Sequence, residues 1–438
     1  MNVKEASVNE MLRVAASAGL CHHCVMEDLE LRPLREQEFA EAVWVASVAF
    51  GEHPAEEDKV YSRQGFDLER SLCAFLNGNL VGVSTALSLE LTLPGGGLLP
   101  AGGLTWIAVL PTHRRRGVLR QLVSAQLQDM IRRGEPVSAL LASEGGIYRR
   151  FGYGPATSIA SFQIPRARAA FLRPAHRNGR IALLKPDEAV TALPAAYENL
   201  RKLRPGEVSR LSGWWQEYLH DAEEHQEGAG RMFHATHETS PGVIDGYATY
   251  RIKEDWPFAT PRNVLRVVEV MASSHEVYAA LWDFLLNTDL VETVAFSRGR
   301  VDEPLRWLLT DPRAFAVDGL TDYLWLRLLD VPRALSARAY GSEAELVIEV
   351  ADTHHSRRST RFGLRAGAAG TPGAECAPSS REPDLTVEID GLAAAYLGEV
   401  TFATLAAAGR VREHRPGAVE RATAMFSTAT APYCTTMF

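Results

Sequence analysis

Cysteine is scarce here. Five residues (Cys21, Cys24, Cys73, Cys376 and Cys434) lie scattered over 438 positions, an odd set that builds no disulfide framework and fits a reducing cytoplasm. No apolar run approaches the ~18 residues of a membrane span. Met1 to Gly19 carries acidic residues and lacks the basic, apolar, small-residue order of a secretory signal. Positive charge is in deficit: 46 Lys and Arg against 54 Asp and Glu leave a net charge of −8. That balance speaks against a nucleic-acid binder, which needs a basic face, and favours cationic partners. No Gly-x-x-x-x-Gly-Lys loop and no His-Glu-x-x-His pair is present, so triphosphate and metalloprotease chemistry have no support. Cys21-His22-His23-Cys24 has no second ligand set at zinc-finger spacing and reads as part of a loose N-terminal extension; no metal is expected. His234 with His237, and His354 with His355, stand outside any catalytic frame and read as surface residues.

What is present is concentrated in residues 103–120. Leu104 to Leu110 is an apolar run with the β-branched and aromatic content of a buried strand. Pro111 ends it, and Thr112 offers a hydroxyl where a helix can begin. Arg114-Arg115-Arg116-Gly117 follows, then Val118, Leu119, Leu122 and Val123 at helical spacing. A strand, a basic turn with glycine and a helix aim backbone N–H groups and a helix N-terminus at one point, which makes an anion site. The competing reading is a solvated arginine cluster at a helix start. A second segment follows a probable strand, Val137 to Ala142: Ser143-Glu144-Gly145-Gly146-Ile147-Tyr148-Arg149-Arg150-Phe151-Gly152-Tyr153-Gly154. The glycine pair suits a break where the backbone passes close to a ligand.

The spacing Arg-x-x-Gly-x-Leu resembles the pyrophosphate loop of GCN5-related (GNAT) N-acetyltransferases, with Leu119 departing from the usual Gly or Ala. A tyrosine just ahead of a Phe-Gly-aromatic turn is also theirs. A narrower resemblance, to the Eis (enhanced intracellular survival) acetyltransferases, rests on 109–117 and 142–157. It continues in Gly-Tyr-Ala-x-Tyr-Arg at 246–251, Leu-Trp-Leu-Arg-Leu-Leu-Asp-Val-Pro-Arg-Ala-Leu at 324–335, Tyr396-Leu397-Gly398 and the aromatic Phe438.

The expected class is α+β. At ~150 residues per domain the length suggests about three. Residues 1–28 are read as an extension and 29–165 as a catalytic GNAT domain whose sheet Ser161 to Ile164 would close. Arg166 to Pro174 reads as a linker within 166–318, a degenerate GNAT-like domain with no second Arg-x-x-Gly turn; Pro194 is expected to break its helix at Asp187 to Leu203. For 319–438, with a strong strand at Leu324 to Leu329 and a flexible loop at Gly367 to Ser380, the resemblance implies a sterol-carrier-protein-like domain. It also implies a homo-oligomer, a hexamer.

For the site, the resemblance implies acetyl-CoA held by the backbone of Arg115, Arg116, Gly117, Val118, Leu119 and Arg120, by main-chain groups of Ile107, Ala108 and Val109, and by Ser143 and Glu144. Tyr148 would protonate the departing thiolate. An aliphatic amine with pKa near ~10 arrives protonated and needs a base, and the resemblance gives that role to the terminal carboxylate of Phe438. Pro432 to Phe438 carries no charged side chain, which suits insertion into a cleft. Trp106 and Glu52 are placed at the acceptor, with Glu56, Glu57 and Asp58 adding acidity suited to a polyamine, aminoglycoside or lysine-like amine. A non-catalytic acetyl-CoA-binding protein and a lipid carrier are the alternatives.

Overall fold

Apolar spacing becomes packing in a computed structural model that describes residues 29–53, 62–175, 179–352 and 358–438. Cys21 to Cys24, Glu56 to Asp58 and His354-His355 lie outside the described residues. The chain forms two compact units, the first drawn from Met1–Ser88 and Gly102–Glu135, the second from Leu89–Ala101 and Pro136–Phe438.

In the first unit, β1 (Leu29–Arg32) pairs antiparallel with β2 (Cys73–Leu76), and β2 with β3 (Asn79–Thr92), whose outer end lies in the second unit. Asn77-Gly78 makes the β2–β3 turn, with both residues at positive φ (51° and 79°), as a tight two-residue hairpin requires. Between β1 and β2, α1 (Phe39–Phe50) buries Phe39, Ala42, Val43, Val45 and Ala46 and ends on Gly51 in the left-handed region. The fourth strand, β4 (Leu98–Val109), leads through a short turn at Pro111–His113 into α2 (Val118–Arg132). That helix buries Val118, Leu122, Val123, Gln126, Leu127 and Met130, one stripe at 3.6-residue spacing. It lies directly on β3, where a Cβ on Gly82 would stand 3.1 Å from Leu122. The Gln126 amide donates to the Arg70 carbonyl at 3.0 Å, and the buried Arg70 guanidinium forks onto Glu135 at 2.7 and 2.8 Å.

The second unit opens with β5 (Val137–Leu141), the one-turn α3 (Gly145–Tyr148), β6 (Gly154–Pro155) and β7 (Ser158–Pro165). Then come β8 (Arg180–Leu184), α4 (Pro186–Leu200), α5 (Ser212–His220), β9 (Phe233–Ser240), β10 (Val243–Lys253), β11 (Asn263–Ala272), α6 (His275–Leu286), β12 (Val291–Gly299), α7 (Leu305–Leu308), β13 (Ala316–Asp322) and β14 (Leu324–Leu328). One sheet runs β13-β7-β12-β11-β10-β9-β8, with β11 and β12 parallel across α6. Its core gathers Phe162, Leu265, Leu281, Trp282, Val294 and Phe296.

Two strands sit where their order along the chain did not place them. The Ser161 to Ile164 segment does not close the first sheet; β7 pairs with β12 and β13 (Phe162 opposite Phe296 and Val317). In exchange, β14 leaves the third region and pairs with β5 (Trp325 opposite Leu140) and with β6 (Leu326 opposite Gly154). Its five residues are all buried, the mark of a strand covered on both faces.

The remaining chain gives α8 (Val331–Ala337), β15 (Ala344–Asp352), β16 (Arg358–Ala366), β17 (Glu375–Pro378), β18 (Leu385–Glu388), α9 (Ile389–Ala395), α10 (Phe402–Ala407), β19 (Val411–Glu413) and α11 (Ala418–Phe426). Its sheet runs β17-β16-β15-β18-β19. The expected loop at 367–380 therefore contains an edge strand, where Pro378 is tolerated because one side of the ladder is open. Helix α4 runs through Pro194 unbroken. Leu193, Ala196, Tyr197 and Leu200 are buried along it, and that packing outweighs the lost hydrogen bond. His234 and His237 are buried rather than superficial, bonded to Thr249 and Asp245. Among the described residues no helix is long and apolar enough to cross a membrane, and no cluster of His, Cys, Asp and Glu is placed to hold a metal.

Candidate active site

The first unit holds the basic turn and helix start that the sequence marks as a candidate anion site. Ile107, Ala108 and Val109 are the last residues of β4, Ile107 half-buried and the others buried. Thr112 does not start the long helix; it bonds His113, and α2 begins only at Val118. Between them the backbone turns sharply, with Arg115 at φ 63° and Gly117 at φ 86°. Gly117 sits at the N-cap and has no heavy atom near its absent side chain, so backbone conformation, not crowding, calls for glycine. Val118, Leu119 and Arg120 form the first turn, where N–H groups have no intrahelical acceptor and point outward with the helix dipole. Arg114, though exposed, donates to the carbonyls of Val109 (3.3 Å) and Ala49 (3.0 Å). Arg115 and Arg116 are exposed in this turn.

Trp106 also has positive φ, 54°, which breaks strand alternation at that point. Its half-buried ring meets Phe66 edge-on at 5.1 Å and Phe39 at 6.0 Å, forming an aromatic wall against α1. Glu52 is exposed just past the end of α1, its N–H bonded to the Ser47 carbonyl at 2.9 Å.

The second unit holds Ser143, Glu144 and Tyr148 together. Ser143 and Glu144 are exposed at the end of β5, and Tyr148 closes α3 with its ring buried. Burial raises the Tyr148 phenol above its ordinary value while the Ser143 hydroxyl pulls the other way. Tyr153 meets its ring edge-on at 6.1 Å and bonds Ser138 at 2.6 Å. The segment is braced from α9, every residue of which is buried. The Arg149 Nε donates to Asp390 at 2.8 Å, Arg410 donates to the same oxygen at 2.6 Å, and the Ser158 N–H reaches Glu399 at 2.8 Å.

The end of the chain is tied down in the same unit. Ala431 donates to Asp302 at 3.0 Å and Tyr433 to the Pro205 carbonyl at 2.8 Å. Thr435 and Thr436 sink among Tyr197, Glu207, Arg210 and Glu269, and Trp214 Nε1 bonds the Met437 carbonyl at 2.5 Å. Sequence reasoning named Tyr148 and Phe438 but passed over Arg210, Glu207, Glu269 and Asp390, which hold the segments that carry them. None of these belongs to a motif; the only signal near Arg210 was the Trp214-Trp215 pair.

Known families and relatives match most of this chain. Acetyltransferase (GNAT) domain models match residues 30–156 and 206–328, and a sterol carrier protein domain matches 331–435. The chain is 34% identical over 419 residues to an uncharacterized N-acetyltransferase of Streptomyces avermitilis, covering 94% of this chain and 99% of that one. It is 36% identical over 355 residues to N-acetyltransferase Eis of Mycobacterium tuberculosis, covering 80% and 83%. The crystal structure of Eis1 from Mycobacterium abscessus superposes with a TM-score of 0.82 at 39% identity, over 94% of this chain and 100% of that one.

Proposed function

Because the chain belongs to the Eis family of GCN5-related N-acetyltransferases, we propose that it passes the acetyl group of acetyl-CoA directly to the amine of a cationic small molecule. GNAT domains bind acetyl-CoA, and the turn and helix start at Arg115 to Arg120 are the place we assign to its pyrophosphate. Ile107 to Val109 offer main-chain groups to the pantetheine, and Ser143 with Glu144 complete the set. Helix α6 has the same strand–helix–strand setting, but Ser274 spends its own hydroxyl on the Val277 N–H at 3.3 Å. That cap suits a second domain kept for structure.

In the proposed step a substrate ammonium first loses a proton to the Phe438 carboxylate. The freed lone pair attacks the thioester carbonyl carbon, the C–S bond breaks, Tyr148 protonates the leaving sulfur, and the second proton of the acylated nitrogen restores the Tyr148 phenol. The products are the N-acetyl amine and free coenzyme A, with no acyl-enzyme. Glu52, Trp106 and the net charge of −8 favour a cationic acceptor, such as a polyamine, an aminoglycoside or a lysine-like amine.

The observation that carries the reading is Tyr148, buried at the end of a one-turn helix and held in its neutral form. A general acid contributes typically ~10²–10⁴-fold, so Tyr148→Phe is expected to lower kcat by that order while calorimetry finds acetyl-CoA affinity nearly intact. A few residues added after Phe438 should do comparable harm, read by thiol release with a panel of amines. If both variants turn over as fast as the parent protein, this assignment of acid and base is wrong.

A further inference from the structure

The last four residues leave the upstream chain by way of one buried cation. Arg210 is fully enclosed: Nη1 and Nη2 fork onto Glu269 at 3.2 and 2.5 Å, and Nη2 also reaches Thr435 Oγ1 at 2.9 Å. Its Nε donates to Thr436 Oγ1, again at 2.9 Å. The guanidinium lies 3.7 Å from the centre of the Tyr197 ring and 4.1 Å from that of Trp214. Trp214 is the residue that holds the Met437 carbonyl, and Tyr197 shares Thr436 at 2.9 Å. Glu207 takes the Thr435 N–H and hydroxyl at 3.2 and 3.1 Å. The polar contacts of residues 435–437 thus run to Arg210, to groups stacked on it, to its companion acids Glu207 and Glu269, and to Cys434 beside them.

The chemistry of arginine explains the choice. Its planar fork offers several donors in fixed directions, whereas an ammonium is a point charge without them. One guanidinium here orients two hydroxyls and stacks on the indole that grips the next carbonyl. Phe438 follows one residue later, ~3.8 Å further along the Cα trace. Upstream anchors at Asp302, Pro205 and Arg298 hold Ala431 and Tyr433 but leave the direction of the terminus open.

We infer that Arg210, held by Glu269 and flanked by Glu207, is the positioning residue that fixes Thr435 to Phe438 and so sets where the terminal carboxylate stands. The inference rests on the reading of that carboxylate as proton acceptor. It assigns a task in the acetyl transfer to the second GNAT domain, which contributes no group to the reacting atoms.

Two variants test it. Thr435→Val/Thr436→Val removes the hydroxyls that meet the clamp and leaves its ion pair intact. Arg210→Lys keeps the buried positive charge and loses the fork. In both, carboxypeptidase should release Phe438 on the order of tenfold faster. Displacing a reacting group by ~1 Å can cost ~10²-fold, so kcat should fall by about that factor with KM for acetyl-CoA unchanged, a split that general loosening of the fold would not give. Release as slow as in the parent protein, in variants with unchanged circular dichroism, overturns the clamp. Fast release with unchanged kcat upholds the clamp and overturns the carboxylate as base.

Discussion

Tyr148 and Glu207 are both buried acids whose protons are held more tightly than in water, and burial serves each differently. For Tyr148 a raised pKa keeps the phenol neutral throughout the physiological range. A thiol near ~8.5 is the stronger acid in water, so the phenol gives up its proton readily only when the leaving sulfur is also desolvated. Glu207 is pushed up to about 7 by desolvation, with the Arg210 guanidinium opposing and Glu269 reinforcing. Tyr197, Arg210, Glu269, Tyr323, Tyr433 and Cys434 are charged or titratable groups around it. Its native value lies above the ordinary 4.5, so the folded state binds this proton more tightly than the unfolded chain does. Its contribution is complete below about 4.5 and is lost as pH rises through about 7. Glu207→Gln should therefore flatten the stability profile in that window, by up to about 1.4 kcal/mol per pH unit. Urea midpoints of the two proteins from pH 5 to 8 check it, and parallel profiles would contradict the assignment.

At the scale of elements, close backbone approach places Tyr148. A Cβ at Gly154 would come within 1.9 Å of the Asp390 carbonyl on α9. Neither backbone can yield without disturbing the Arg149–Asp390 bond, so Gly154→Ala should destabilise the protein by ~1–3 kcal/mol or more. Denaturant unfolding measures this, and an unchanged midpoint would show that α9 is free to slide. This packing also marks how far the sequence was legible. The apolar stripe of α2 and the turn at Arg115 to Gly117 are local patterns and could be read directly, whereas Tyr148 was singled out only through the family resemblance. Partnerships between distant strands could not be read. Ser161 to Ile164 and Leu324 to Leu328 are equally good strands for either sheet, because alternation and β-propensity say nothing about which edge a strand will join. The strand at Glu375 to Pro378 was hidden by its Gly, Ala and Pro surroundings. Arg210 was invisible for a related reason: its partners lie far away at 269 and 435.

For the whole molecule, the exchange of β7 and β14 makes domain names a poor guide to what can be cut. Between β5 and β6 stands a strand from beyond residue 320, while β7 serves the sheet of the second GNAT domain. A fragment of residues 29–318 should consequently lack cooperative unfolding by circular dichroism and bind acetyl-CoA poorly by calorimetry. A folded, binding-competent fragment would refute this. The same exchange has a consequence for synthesis. A nascent chain emerging at ~5–20 residues per second presents β5 roughly 10–40 s before β14 is made. Throughout that interval β5 and β6 remain open edges, able to template pairing with a neighbouring chain. Ribosomes crowded on one message hold such edges close together, so slower initiation or an available chaperone should raise the yield of soluble protein more than slower elongation does.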